Sequence, residues 1–165
     1  ILISRLFDDG VTSRLQKTLR EEKGLVYSVE CRATSLPDIG TVDFDVSVRP
    51  EKAVEVVKII LNEIKTFISN GVGKEELDLA KQRYSYDLDY ELDDPYKQII
   101  RYGFSHLYSS EYTAEDERKK IFQIMRTDIL RVARKIFIPE KLNFILVGPY
   151  TFELKNTLEK LVQNF

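Results

Sequence analysis

Apolar residues recur along this chain with two different periods, and each change of period marks an element. Ile1, Leu2, Ile3, Leu6 and Phe7 form a stripe of helical spacing that Asp8-Asp9-Gly10 ends. The stripe reads as the end of a helix begun upstream. A second helix is predicted from about Val11 to Lys23, with Thr12 or Ser13 as its cap and Gly24 just past its last turn. Period 2 then takes over. Leu25, Tyr27, Val29, Cys31 and Ala33 share one face, and Ser28, Glu30, Arg32 and Thr34 the other. Val42, Phe44, Val46 and Val48 alternate with Thr41, Asp43, Asp45 and Ser47. Two half-buried antiparallel strands follow from this, joined by a hairpin loop over 35–40.

Helical spacing returns after Pro50, which suits a first helical turn. Ala53, Val56, Val57, Ile60, Leu61, Ile64, Phe67 and Ile68 form one broad apolar face, and Asn70-Gly71 ends it. A Tyr-rich, charged helix is predicted from about Lys74 to Leu92, with Leu77, Ala80, Tyr84 and Leu88 on one stripe. Asp94-Pro95 caps and starts another through about Tyr108. Residues 114–124 and 127–136 read as two more helices, 142–147 as a short buried strand stopped by Gly148-Pro149, and 151–164 as a final helix. Together these define a single α+β domain over 1–165. An antiparallel-containing sheet has one face covered by helices, and it is expected to be incomplete at the N-terminus.

Composition narrows the function. The 165 residues include one His, one Cys, one Met and no Trp. One His cannot supply a two-His metal motif, and one Cys cannot supply a disulfide or a Cys-rich zinc site. Lys+Arg 25 against Asp+Glu 27 gives a net charge of −2, so bulk charge recruits neither nucleic acid nor an anionic membrane. No apolar run approaches the ~18 residues of a membrane span. Residue 1 is Ile and the Met is Met125, so the chain is expected to be part of a longer protein. Its compartment stays open, with the cytoplasm favoured.

Most candidate chemistry has a structural explanation. His106 has no evident carboxylate partner, and Cys31 falls on an apolar strand face without a base of its own. The carboxylates Asp87, Asp89, Glu91, Asp93 and Asp94 lack the Gly turn of a calcium loop and read as a solvated face. Arg118-Lys119-Lys120 are interleaved with acids, as surface pairing requires. Asp43 and Asp45 on the open sheet face argue against an RNA-binding sheet.

The segment from Ser13 to Val29 is different. Arg20 lies in the last turn of a helix, Gly24 turns the chain, and Tyr27 follows early in a strand. A guanidinium and a phenol meeting across one corner would be good donors to a carbonyl oxygen. The alternative for Tyr27 is a packed ring beside Leu25 and Val29.

The strings Ser13-Arg14-Leu15, Leu19-Arg20-Glu21-Glu22 and Gly24-Leu25-Val26-Tyr27-Ser28 resemble the non-zinc half of the insulinase/pitrilysin (M16) family of zinc metallopeptidases. The resemblance continues through Pro50-Glu51-Lys52-Ala53, Gly71-Val72-Gly73-Lys74-Glu75-Glu76-Leu77 and the Val-Gly-Pro ending at Pro149, and so covers nearly the whole chain. It departs from the family pattern where Asp8-Asp9-Gly10 replaces a Gly-rich turn before Ser-Arg-Leu. The resemblance implies a metallopeptidase LuxS/MPP-like fold and a C-terminal, substrate-binding domain of a zinc-dependent metalloendopeptidase that works in a closed chamber. It implies that Arg20 orients the peptide backbone and Tyr27 donates to the scissile carbonyl. No cofactor is expected in this chain, with zinc in the partner domain. The implied partners are a peptide substrate and a zinc-bearing N-terminal domain or partner subunit, in a dimer of chains or domains. Neither nucleic acid nor a membrane is an expected partner. The alternative within the same resemblance is a non-catalytic structural subunit, like the core proteins of a respiratory complex.

Overall fold

The computed structural model describes residues 1–36, 38–109 and 113–165. The chain forms two compact units, one of residues 1–72 and 127–165 and one of residues 73–126.

The first unit is built on one antiparallel hairpin, β1 (Val26–Ser35) and β2 (Gly40–Val48). Their alternation holds from Val29 onward: Val29 pairs with Val46, Cys31 with Phe44 and Ala33 with Val42. Val29 and Cys31 are buried, whereas Glu30 and Arg32 face solvent and form an ion pair. Before Val29 the register slips. Val26 faces Val48 and Ser28 faces Ser47, so the extra residue of a bulge sits between them. The bulge puts Val26 on the buried face and turns Tyr27 away from it.

Helix α1 (Leu2–Phe7) lies against β1 and buries Leu2, Ile3, Leu6 and Phe7. Phe7 is the centre of an aromatic cluster. Its ring meets Phe44 edge-on at 5.2 Å, Phe67 at 4.9 Å and Phe137 edge-on at 5.9 Å, separations at which aromatic pairs attract. Those partners come from β2, from α2 (Ala53–Asn70) and from the end of α6 (Arg126–Ile136), so one side chain joins four segments. The apolar face of α2 matches the helical spacing, with Ala53, Val56, Ile64 and Phe67 buried. Helix α7 (Phe152–Gln163) begins at Thr151, whose hydroxyl accepts from the Leu154 N–H, and it packs against α2 through a buried Leu158.

Two expectations are corrected here. Residues 142–147 form no strand: the described chain offers them no hydrogen-bonding ladder, and Ile145 and Val147 stay exposed. A strand exists through its partner, so its apolar run alone does not create one. The sheet therefore has two strands rather than three. The helix expected over 11–23 begins later, after a turn, and over Gln16–Glu22 it is a π-helix. Ser13 does not cap it. Its hydroxyl donates back to the Gly10 carbonyl at 2.7 Å.

The second unit contains α3 (Lys74–Leu92), α4 (Pro95–Leu107) and α5 (Ala114–Gln123). Asp94 caps α4 by accepting from the Tyr96 and Lys97 N–H groups. Thr113 and Asp116 form a reciprocal capping box on α5. The expected stripe of α3 is buried: Leu77, Ala80, Tyr84 and Leu88. Much of the joining is polar. Arg101 of α4 pairs with Glu91 at 3.1 Å and with Glu117 of α5, which also accepts from the Tyr84 hydroxyl. Arg118 pairs with Asp89. No residue of α4 is buried, and Ile99 and Leu107 are largely exposed. Among the described residues no helix is long and apolar enough to cross a membrane.

Candidate functional site

The string from Ser13 to Tyr27 divides into residues that hold the fold and residues that do not. Leu15 and Leu19 are fully buried. Arg14 is half-buried, donates from Nη2 to the Gly71 carbonyl at 3.1 Å, and lies 4.9 Å above the Phe67 ring. It thereby satisfies a carbonyl at the C-terminal end of α2, where the helix dipole favours a cation. Ser13 holds the Gly10 turn.

Arg20 and Tyr27 have no such duties. Arg20 sits in the last turn of the π-helix with its side chain 54% exposed, and its ion pair with Glu21 is long, at 3.9 Å. Tyr27 is 88% exposed. This decides against the packed-ring alternative, and the β1 bulge is the cause. The corner between them is well defined. The Gly24 N–H donates to the Arg20 carbonyl at 3.1 Å and the Leu25 N–H to the Leu19 carbonyl at 2.8 Å. Gly24 has φ +57°, a left-handed conformation that glycine adopts without the Cβ penalty. So the helix end and the strand start are joined by three residues whose backbone N–H groups are paired. The bulge and the π-helix are both common devices beside functional sites. Neither has a signature in the alternation of apolar residues.

Sequence reasoning missed one group entirely. The Asp8 carboxylate accepts from the Gln16 side chain through Oδ1 at 2.9 Å and from the Cys31 backbone N–H through Oδ2 at 3.0 Å. Gln16 Nε2 also donates to the Val29 carbonyl at 3.0 Å. In the sequence Asp8 reads as part of a helix stop and of the turn that departs from the family pattern, not as a hydrogen-bonding group.

Several of the other candidates have partners within the fold. Burial pushes the Cys31 thiol up to about 12, with the Asp8 charge adding to the shift, and so opposes its reactive thiolate form. His106 is exposed in the last turn of α4. Asp89, Glu91 and Asp94 are engaged in ion pairs and a cap. Hydrogen bonding from Arg118 holds the Asp89 carboxyl below its usual range. Among the described residues no group of three or more His, Cys, Asp or Glu side chains could hold a metal ion. With one His and one Cys in the sequence, this chain's residues do not fit a zinc site.

The first unit thus combines an antiparallel hairpin packed on helices with an exposed Arg20/Tyr27 corner. The family model for the peptidase M16 inactive domain matches residues 1–84, and the chain belongs to that family. An uncharacterized zinc protease of Mycobacterium tuberculosis (strain ATCC 25618 / H37Rv) is 25% identical over 142 residues, covering 86% of this chain and 32% of the relative. One from Streptomyces coelicolor is 26% identical over 141 residues, covering 85% and 30%. The chain thus spans about a third of the length of the curated relatives it matches. Two solved structures share the fold, each with a TM-score of 0.71 over 81% of this chain. They are a protease from Helicobacter pylori (20% identity, 33% of its chain) and a peptidase M16 inactive domain from Pseudomonas fluorescens (19%, 32%).

Proposed function

We propose that this chain is the substrate-binding, C-terminal non-zinc half of a zinc-dependent metalloendopeptidase. In this reading Arg20 and Tyr27 face a peptide held in a closed chamber, and the zinc belongs to an N-terminal domain or a partner subunit. The observation that carries it is the division within one motif. Ser13, Arg14, Leu15, Gln16 and Leu19 are buried or hydrogen-bonded into the fold, while Arg20 and Tyr27, like the charged residues 21–23 between them, are exposed, and the two stand on either side of one tight corner.

The chemistry follows from the side chains. A guanidinium offers several N–H donors in a fixed plane and suits the carbonyls of an extended peptide backbone. A phenol offers one O–H. Placed at the scissile carbonyl, it donates more strongly as negative charge builds on the oxygen, which lowers the barrier more than it tightens binding. Arg20 orients the peptide and Tyr27 stabilises the developing oxyanion. Zinc bound elsewhere in the assembly supplies Lewis-acid chemistry that this chain does not.

The test is assembly-dependent activity. The isolated chain is expected to bind no zinc and cleave no peptide. In the assembled protein, Arg20→Ala and Tyr27→Phe are expected to lower kcat strongly with the fold intact. Full kcat in both variants would refute the enzyme reading and leave the structural-subunit alternative.

A further inference from the structure

We infer that Asp8 and Gln16 are positioning residues for the Arg20/Tyr27 corner, a bracket that fixes the π-helix to β1. This inference rests on the reading of Arg20 and Tyr27 given above. The bracket joins three segments through two side chains. Asp8 follows the last residue of α1. Gln16 is the first residue of the π-helix that carries Arg20. Val29 and Cys31 belong to β1, which carries Tyr27.

The bonds are specific in polarity. Each Asp8 oxygen takes one donor, Gln16 Nε2 at 2.9 Å and the Cys31 N–H at 3.0 Å, and Gln16 Nε2 also reaches the Val29 carbonyl at 3.0 Å. The two backbone groups lie on the edge of β1 away from β2, since Cys31 turns its N–H to Asp8. This edge lies just after the bulge that turns Tyr27 outward, and Gln16 lies one turn before Arg20. The bracket therefore fixes the two elements at the points from which the two side chains project. Both residues are half-buried, so water competes only partly for these bonds. A glycine at position 8 would offer no acceptor.

An isosteric change separates positioning from bulk stability. Asn at position 8 has one acceptor oxygen where Asp has two, so one of the two bonds must be lost while the shape is kept. The experiment is a cycle of Asp8→Asn against the pair Arg20→Ala/Tyr27→Phe in the full parent protein with its zinc-bearing part, using a random-sequence quenched fluorogenic peptide library. Asp8→Asn is expected to lower kcat roughly 10-fold with KM changed less than about twofold. That is smaller than the ~10²-fold that a misplacement of about 1 Å can cause. In the Arg20→Ala/Tyr27→Phe background it is expected to lower kcat little further, because mispositioned donors and absent ones are the same defect. Additive losses, or an unchanged kcat in Asp8→Asn when Arg20→Ala/Tyr27→Phe is impaired, would overturn the bracket alone. Full kcat in Arg20→Ala/Tyr27→Phe would overturn both it and the reading it rests on. If near-UV circular dichroism shows Asp8→Asn unfolded, Gln16→Met carries the same cycle with the same outcomes.

Discussion

Arg14 and Arg20 lie six residues apart in one motif, and the structure predicts opposite consequences for removing them. Arg14→Ala deletes a charge-assisted hydrogen bond to the Gly71 carbonyl at 3.1 Å and a cation–π contact with Phe67 at 4.9 Å. A hydrogen bond to a charged group contributes about 1.5–3 kcal/mol, and a partly exposed cation–π contact about 0.5–1 kcal/mol. Arg14 is half-buried, so solvent takes back part of this, and a loss of about 2–3 kcal/mol is expected. Arg20→Ala removes a long, exposed ion pair to Glu21, and the expected change is within ~0.5 kcal/mol. Urea unfolding followed by far-UV circular dichroism measures both. With an m-value of about 2 kcal/mol per molar, the Arg14→Ala midpoint falls by roughly 1 M, and the Arg20→Ala midpoint stays in place. Equal destabilisation by the two variants would refute the division between residues that hold the fold and residues that do not. So would a larger loss from Arg20→Ala.

Further outcomes follow from other parts of the molecule. Lys81, buried in α3, donates to the Phe122 carbonyl near the end of α5 at 3.1 Å, and Lys81→Met is expected to lower stability by about 1–2 kcal/mol in the same unfolding assay. Burial and the Asp8 charge raise the Cys31 thiol from 9.0 to about 12, so stability is full below pH 9 and declines between about 9 and about 12 as unfolded chains lose a proton that folded chains keep. That decline is about 1.4 kcal/mol per pH unit and is expected to vanish in Cys31→Ala, as equilibrium unfolding across this range would show. Asp89 and Asp116 are held below the usual carboxylate range by hydrogen bonds from Arg118 and Thr113. Their contribution is present at neutral pH and is lost as pH falls through the lowered values, which hydrogen exchange in α3 and α5 would report. Gly24→Ala is expected to cost about 1–2 kcal/mol through its left-handed backbone alone, because nothing lies within 4 Å of the added Cβ. Thermal unfolding would show it.

The parts of this fold that could be read from the sequence are those set by local chemistry. Asp94-Pro95 and Thr113 start helices because their side chains satisfy N-terminal N–H groups within three residues. Gly71 ends α2 with φ +72°, another conformation that glycine accommodates. The hairpin follows from alternation over Val29–Ala33 and Val42–Val48, where one face is buried or half-buried and the other exposed. What escaped depends on distant partners. A bulge adds one residue to a strand without altering its composition, so Tyr27 looked like a member of the Val29 face. The π-helix spans seven residues, too few for its period to differ visibly from an α-helix. Residues 142–147 have the apolar run of a strand and no strand beside them. The same limit explains the candidate site. Arg20 and Tyr27 were legible through the string around them, whereas the Asp8 bracket depends on contacts to Gln16, eight residues on, and Cys31, twenty-three residues on, which only the folded chain reveals.

The central claim is that Tyr27 supplies a hydrogen bond to the reacting carbonyl of a peptide. Tyr27→Phe removes one oxygen from a side chain that is 88% exposed, so the fold has no stake in it. Single-turnover peptide cleavage by the assembled, zinc-loaded protein measures the chemical step alone. The account predicts a fall of about 10²–10³-fold in that rate, equivalent to ~2.7–4 kcal/mol of transition-state stabilisation, with substrate affinity and unfolding midpoint unchanged. A rate equal to that of the unsubstituted protein would contradict it.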